Sequence, residues 1–301
     1  MTSWTISKDK ITDVGVIGAG TMGSCMVKKL IEYNYRVFVH DISKEAQDCA
    51  QTDGAKVLDS SKAVAQSADI VLLSLPMPSD VRDVVLSKNG LFEGARKGQV
   101  FIDLSTVEPD TSRPLYKELQ KHGISYIDAP VLGRPARVGK WLLPVGGDEE
   151  AVEYVMPVLK TFAGDVVYTG GSGAGNAVKL CNQMMFAAIN AISAEIMATA
   201  KNVGIDQKVL YETISKSGAA TVSALFCDVG RMIVTNGYDD PIFKLELLNK
   251  DASLGIKMAK QNNCATPVAS SIQVFYDIAM AKGLGKEDTS AVYKVIEKMT
   301  K

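Results

Sequence analysis

Three groups of residues have the types and spacing of reacting or ligand-holding groups. The first, Gly18-Ala19-Gly20-Thr21-Met22-Gly23, directly follows the apolar run Val14 to Ile17 and opens an amphipathic segment. A G-x-G-x-x-G sequence at a strand-to-helix turn can receive a pyrophosphate. Gly18 permits the tight turn, Gly20 lets phosphate oxygens approach the backbone, Gly23 allows close packing, and the helix amino terminus meets the negative charge. The next apolar run ends in Asp41, roughly 20 residues on, where a carboxylate accepts hydrogen bonds from a ribose 2′-hydroxyl and repels a 2′-phosphate. NAD is therefore the expected cofactor, and nearby Lys44 leaves room for NADP.

The second group, Leu75-Pro76-Met77-Pro78, is a proline-stiffened loop after the third expected strand, where it would lie beside the nicotinamide; as a motif it also reads as an ordinary turn before a helix. In the third, Lys179, Asn182 and Gln183 stand at i, i+3 and i+4 of a long apolar segment and share one helical face. Hydride reduction of a carbonyl develops alkoxide charge, and a desolvated lysine can give the proton and retrieve it in reverse. Position alone leaves open the plainer reading of a surface lysine with a buried stem. His40 adjoins Asp41 and His122 ends an amphipathic segment at Gly123, so neither is a strong acid or base candidate. With no His and Cys ligand cluster in the sequence, metal-free chemistry is expected.

The elements that must position these groups alternate through the first half. Strands are expected at Asp13 to Ile17, Arg36 to His40, Ile70 to Leu75, Val100 to Leu104 and Tyr126 to Ala129, with a looser pair near Trp141 to Val145 and Val166 to Tyr168. Helices between them centre on Met22 to Glu32, Lys44 to Thr52, Ser61 to Gln66, Ser79 to Leu86, Pro109 to His122 and Glu149 to Phe162. This is the pattern of a doubly wound parallel sheet covered by helices, an α/β fold of the Rossmann type. After Gly170-Gly171-Ser172-Gly173 strand signals vanish, so domains are expected at 1–172 and 173–301. Later helices are expected at Gly175 to Val203, Asp206 to Ser215, Thr221 to Thr235, Leu247 to Asn262, Pro267 to Lys282 and Asp288 to Met299. The first would be a rod of roughly 40 Å, long enough to join both domains.

Composition sets the bounds. A chain of 301 residues with 47% hydrophobic and 22% charged residues is ordinary for a globular protein, and a net charge of -1 gives no reason to expect nucleic acid. Small-molecule substrates remain. Five scattered cysteines without Cys-x-x-Cys spacing argue against a disulfide framework and fit a reducing compartment. No secretory signal is evident near the start, and the apolar stretch Ala174 to Ala200 is interrupted by Lys179, Asn182, Asn190 and Glu195. A cytoplasmic protein without a membrane span is expected.

Five ordered motifs carry a resemblance: Val16 to Gly23, Asp103-Leu104-Ser105-Thr106, Asp128-Ala129-Pro130-Val131, Gly173 to Asn182, and Asn249-Lys250-Asp251. Together they resemble the β-hydroxyacid dehydrogenase family, which includes 3-hydroxyisobutyrate dehydrogenase, tartronate semialdehyde reductase and, more distantly, 6-phosphogluconate dehydrogenase. The likeness runs from about Val14 to the chain's end. It implies NAD(P)-linked interconversion of a small β-hydroxy acid and its semialdehyde, with Lys179 as the catalytic lysine and Asn182 binding substrate. It also implies that Ser105 touches substrate, that Thr106 and Lys250 reach the cofactor, that Leu75, Pro76 and Met77 flank the nicotinamide, and that the chain forms a homodimer or homotetramer.

One departure bears on the substrate. Where the family has Asp-Ala-Pro-Val-Ser-Gly-Gly, this chain continues Val131-Leu132-Gly133-Arg134-Pro135, and Lys140 to Pro144 differs as well. A serine hydroxyl and a glycine backbone that would hold a carboxylate are replaced by an aliphatic group and an arginine, so either Arg134 or Arg137 supplies a new fork for an anion or the pocket accepts something less carboxylate-like, with Gly133 and Arg134 the expected substrate-side residues. Two other readings share this architecture: an imine reductase, which usually carries a different residue at the lysine position, and a retired dehydrogenase acting as a binding protein.

Overall fold

The computed structural model describes residues 11–217 and 223–299. The first half runs β1 (Asp13–Ile17), α1 (Thr21–Glu32), β2 (Arg36–His40), α2 (Lys44–Thr52), β3 (Lys56–Val57), α3 (Ser61–Ser67), β4 (Ile70–Leu73), α4 (Pro78–Leu86), α5 (Leu91–Gly94) and β5 (Val100–Asp103). It continues α6 (Pro109–Gln120), β6 (Ser125–Asp128), a 3-10 turn at Pro135–Arg137, β7 (Trp141–Gly146), α7 (Glu149–Phe162) and β8 (Ala163–Gly170). The strands form one sheet in the order β3-β2-β1-β4-β5-β6-β7-β8. Its first six positions have the doubly wound order, so the strand order reverses between the parallel neighbours β1 and β4, and their carboxyl ends open the crevice where such sheets take ligands.

The strands are apolar on both faces because both are covered. Val14, Val16, Ile70 and Leu72 point into one layer with Met26 and Leu30 of α1 and Val155 and Leu159 of α7. Ile17, Val71, Leu73 and Phe101 point into the other, with Val64, Val81 and Leu115 of α3, α4 and α6.

The expectation of a parallel sheet holds from β3 through β6 and fails at β7, which meets β6 antiparallel at Asp128–Gly146. A second bridge, Leu132–Leu142, lies four residues along on each chain in the same register, with Leu132 N–H donating to Leu142 O at 2.9 Å and the reverse bond at 3.2 Å. That register sets Pro130 opposite Pro144. Neither has an N–H, so the intervening bonded pair of the ladder cannot form.

The second half is helical. Its elements are α8 (Ala174–Asn202), α9 (Gln207–Lys216), α10 (Ala224–Thr235), α11 (Leu245–Gln261), α12 (Pro267–Ala281) and α13 (Val292–Met299). The chain forms two compact units divided after Lys179, within α8, whereas the glycine cluster lies just ahead of that helix. The expected start of α10 at Thr221 lies outside the described residues; the helix begins at Ala224, capped by Ser223, whose hydroxyl accepts from Phe226 N–H. The second unit packs Ala194, Met197, Ile233, Leu248, Tyr276 and Ile296 into its own core. Its polar pin is Asn190, whose amide donates to Tyr276 Oη at 2.9 Å and Thr289 O at 2.8 Å. Among the described residues no helix is long and apolar enough to cross a membrane.

Candidate active site

At the end of β1 the backbone turns through Gly18, whose φ of 85° suits glycine. A Cβ on Gly18 would stand 2.3 Å from Ser74 O, and one on Gly23 would stand 1.9 Å from Gly18 O. Gly20 differs: a Cβ there meets nothing within 4 Å. α1 opens just after it with no acidic residue in its first turn and no side-chain cap on its leading N–H groups. The turn therefore fits a pyrophosphate laid against Gly20. Ala19 is buried, Thr21 exposed, and Met22 packs against the core below.

Asp41 closes the turn from β2. One carboxylate oxygen accepts from Ala19 N–H at 2.7 Å, the other from Ser43 N–H at 2.7 Å. Gln47 Nε2 donates to the Asp41 carbonyl at 2.6 Å. Asp41 thus belongs physically to the glycine turn, and each oxygen keeps a further lone pair for a ribose hydroxyl.

Across the switch point, Leu75 N–H donates to Ser105 Oγ at 2.9 Å, tying the loop after β4 to the loop after β5. Ser105 is buried and its own N–H donates to Asp103 at 2.9 Å, while Thr106 beside it is half-buried. Pro76 and Met77 are exposed. Capping of α6 is not what Ser105 or Thr106 does, because Glu108 holds the cap position.

The first turn of α8 is held by Asp128, a residue to which sequence reasoning assigned no role. Its carboxylate accepts from Gly173 N–H at 2.7 Å and Asn176 N–H at 3.0 Å. Gly175 packs so closely that a Cβ would lie 2.4 Å from Pro144 O and 2.6 Å from Asp128 O. One turn further on, Lys179 Nζ donates to Val131 O at 2.9 Å. The ribbon register explains the acceptor: Val131 stands between bonded positions, where its carbonyl turns away from β7. A four-residue stretch thus holds both the root of the helix and the tip of its lysine.

Burial pushes the Asp128 carboxyl up to about 6, against the pull of the Gly173 and Asn176 donors and with a push from the Asp103 charge. A raised pKa means the folded chain binds this proton more tightly than the unfolded one. This contribution favours folding most below about pH 4 and is lost as pH rises through 6. Asp128→Asn carries no such proton. The difference in unfolding free energy between variant and parent, from urea titrations, should therefore move by about 2–3 kcal/mol in the variant's favour between pH 4 and pH 7.5. A pH-independent difference would show that Asp128 does not titrate in that window.

The departure at Leu132 to Pro135 and that at Lys140 to Pro144 are one construction. Gly133 lies against Trp141, whose Cδ1 a Cβ would approach to 2.2 Å, and Trp141 Nε1 donates to Arg134 O at 2.7 Å. The indole is fully buried and meets Phe162 edge-on. Arg134 is half-buried and Arg137 exposed.

In the second unit, Asn182 Nδ2 donates to Gln183 Oε1 at 3.2 Å, Gln183 Nε2 donates to Asp251 Oδ2 at 2.6 Å, and Lys250 Nζ lies 3.0 Å from Asp251 Oδ1. Asn182 and Lys250 are thus joined through Gln183 and buried Asp251. Only the motif Asn249-Lys250-Asp251 hinted at the acidic member. Among the described residues no group of His, Cys, Asp or Glu could hold a metal ion.

A doubly wound sheet with a phosphate-receiving glycine turn at its switch point defines a dinucleotide-binding protein. Residues 13–170 match the NAD-binding domain of 6-phosphogluconate dehydrogenase, and residues 173–296 match the NAD-binding domain of NADP-dependent 3-hydroxyisobutyrate dehydrogenase. The chain is 30% identical to 2-(hydroxymethyl)glutarate dehydrogenase of Eubacterium barkeri, covering 97% of each. It is 32% identical to human mitochondrial 3-hydroxyisobutyrate dehydrogenase, over 95% of this chain and 87% of that one. A solved 3-hydroxyisobutyrate dehydrogenase from Salmonella typhimurium superposes with a TM-score of 0.85 at 26% identity, covering 94% of this chain and 99% of that one. The chain belongs to the β-hydroxyacid dehydrogenase-like superfamily, and it is an NAD(P)-dependent oxidoreductase of CH–OH donors.

Proposed function

We propose that this enzyme interconverts a small β-hydroxy acid and its semialdehyde, with Lys179 as the general acid and base. The observation that carries the reading is the hydrogen bond from Lys179 Nζ to Val131 O, because it holds the ammonium against the loop after β6, beside the stretch where this chain departs from its family. When bound, a nicotinamide supplies or accepts the hydride at the hydroxyl-bearing carbon. Lys179 exchanges the hydroxyl proton, Asn182 and Ser105 bind substrate, Gly133 offers its backbone, and Arg134 pairs with the substrate's anionic group. Gly18 to Gly23, Asp41, Leu75 to Met77, Thr106 and Lys250 hold the cofactor.

The named relatives support this class. Besides the two dehydrogenases above, the 3-sulfolactaldehyde reductase of Escherichia coli is 32% identical over 94% of this chain, and its name pairs an aldehyde with an anionic group. Solved imine reductases share the fold at 17–21% identity, which speaks for architecture alone. The deciding assay follows NADH and NADPH oxidation with a panel of semialdehydes and cyclic imines. Reduction of a carboxylate- or sulfonate-bearing aldehyde is expected; turnover of imines alone would overturn the reading.

NAD is the preferred cofactor in this proposal. Its support is the Asp41 carboxylate bonded to Ala19 N–H, a negative charge built into the turn and unfavourable to a 2′-phosphate. Asp41→Ser should shift the ratio of kcat/KM values toward NADPH by about tenfold or more, given that one close charge contact is worth 1–3 kcal/mol. An unchanged ratio would mean that Asp41 does not face the ribose. The substrate would be a small molecule, and a homodimer or homotetramer the working assembly.

A further inference from the structure

The path of the loop after β6 is fixed by hydrogen bonds along its length. Val131 O accepts from Lys179 Nζ at 2.9 Å, and Leu132 is paired in both directions with Leu142. Arg134 O accepts from Trp141 Nε1 at 2.7 Å and from Arg137 N–H at 2.9 Å. Beyond Arg134 the 3-10 turn Pro135–Arg137 rests on α1, where Cys25 Sγ lies 4.0 Å from Pro135 O. All of these residues belong to the first unit.

These ties bear most on Arg134. A residue before proline is confined to extended backbone, and Arg134 has φ -119° and ψ 157°. With its torsions set and its carbonyl taken by the indole and the Arg137 amide, the direction in which the side chain leaves the loop is set as well. The indole is the decisive donor. Arg137 N–H belongs to the same loop and would move with it, whereas Trp141 is fully buried, meets Phe162 edge-on and shares its core with Met22 and Cys25 of α1. Gly133 lets the loop lie directly on that ring, since a Cβ there would come to 2.2 Å from Trp141 Cδ1. A buried indole needs an acceptor for its N–H, and stability alone would be served by any carbonyl in reach. This one belongs to the residue that the proposed reaction sets against an anion.

We propose that Trp141 is a positioning residue for substrate selection: its indole N–H fixes the Arg134 main chain so that the guanidinium meets the anionic group of the substrate, and the preference for a charged over an uncharged substrate depends on that bond. The proposal rests on Arg134 having the role given above. A guanidinium takes a carboxylate or sulfonate through two parallel N–H bonds, a geometry that tolerates little displacement of the fork. An uncharged substrate asks nothing of the fork, so it should not sense the indole.

The test compares 3-hydroxyisobutyrate with its methyl ester, the same alcohol without the charge, in steady-state oxidation by NAD. The reading is the ratio of kcat/KM for acid over ester. Arg134→Gln should lower this ratio by about tenfold or more, as expected for a lost charge-assisted contact. Trp141→Phe, which keeps an aromatic ring and removes the N–H, should lower it by about fivefold or more through the KM for the acid, with kcat for the ester and the KM for NAD within about twofold. Combined, the two substitutions should lower the ratio no further than Arg134→Gln alone, because the indole acts only through the arginine. Val155→Ala weakens the same core and leaves the indole donor in place, so it should lower the melting temperature without changing the ratio. Where Trp141→Phe does not fold, 3-benzothienylalanine at position 141 keeps the bicyclic ring and lacks only the N–H.

An unchanged ratio in Trp141→Phe beside a lowered one in Arg134→Gln would overturn the proposal and leave the role of Arg134 intact. An equal fall in Val155→Ala would reduce the indole to ordinary packing and overturn it too, as would additive losses in the double variant. A parent that does not favour the acid, or an unchanged ratio in Arg134→Gln, would instead sink the assignment of Arg134 on which the proposal stands.

Discussion

Lys179→Ala is expected to lower turnover by about 100-fold or more while leaving dinucleotide binding nearly unchanged, the size of effect typical of a positioned acid or base. The separation follows from where the residue sits. Lys179 lies on α8 and its ammonium reaches Val131 O, whereas the glycine turn and Asp41 are built from β1, α1 and β2. Alanine is the better helix former, and the anchors of the first turn, Asp128 with Gly173 and Asn176, involve none of the removed atoms. Lys179→Arg sharpens the test: it keeps a cation able to bond Val131 O, yet a guanidinium does not release its proton at working pH. Loss in both variants, with cofactor affinity retained in a fluorescence titration, would mark proton delivery as the function. Turnover kept by either variant would remove that role.

The second large effect concerns two glycines three residues apart that should fail differently. A methyl on Gly23 would lie 1.9 Å from Gly18 O, a backbone atom that cannot yield without opening the turn. Gly23→Ala should therefore cost several degrees of melting temperature, consistent with about 1–3 kcal/mol for overpacking, and cofactor affinity should drop with it. Gly20→Ala meets no neighbour within 4 Å, so its melting temperature should match the parent. The added methyl instead occupies the approach of the pyrophosphate, and the Kd for NAD should rise by about tenfold or more. Thermal melts with and without NAD separate the two. Equal destabilisation by both substitutions would contradict the geometry of the turn.

Much of this architecture was legible because its signals are local. The strand-turn-helix at Gly18 to Gly23 and the period change after Gly170 are carried by neighbours in sequence. What escaped was whatever depends on partners far apart in the chain. β3 has only two residues, too few for any period to register. The reversal at β7 escaped because alternation of apolar residues reports burial and is blind to strand direction. Asp128 stood inside a motif, but its partners Gly173 and Asn176 come more than forty residues later, and nothing local announces a helix anchor. Asp251 was hidden behind the neighbouring Lys250. The site motifs were thus visible as lists of residues, and their mutual support was not.

The departure of the loop after β6 from its family has a practical meaning. Trp141 fills the space a side chain at Gly133 would need and holds the Arg134 carbonyl, while Leu132 and Leu142 are zipped together. A transplant of the second stretch alone from a relative would import half a lock, because losing the indole would leave a hole under the loop and remove the donor that holds the Arg134 carbonyl. Retargeting this enzyme by grafting therefore means moving both stretches together, and natural divergence in this lineage would have had to change them in concert.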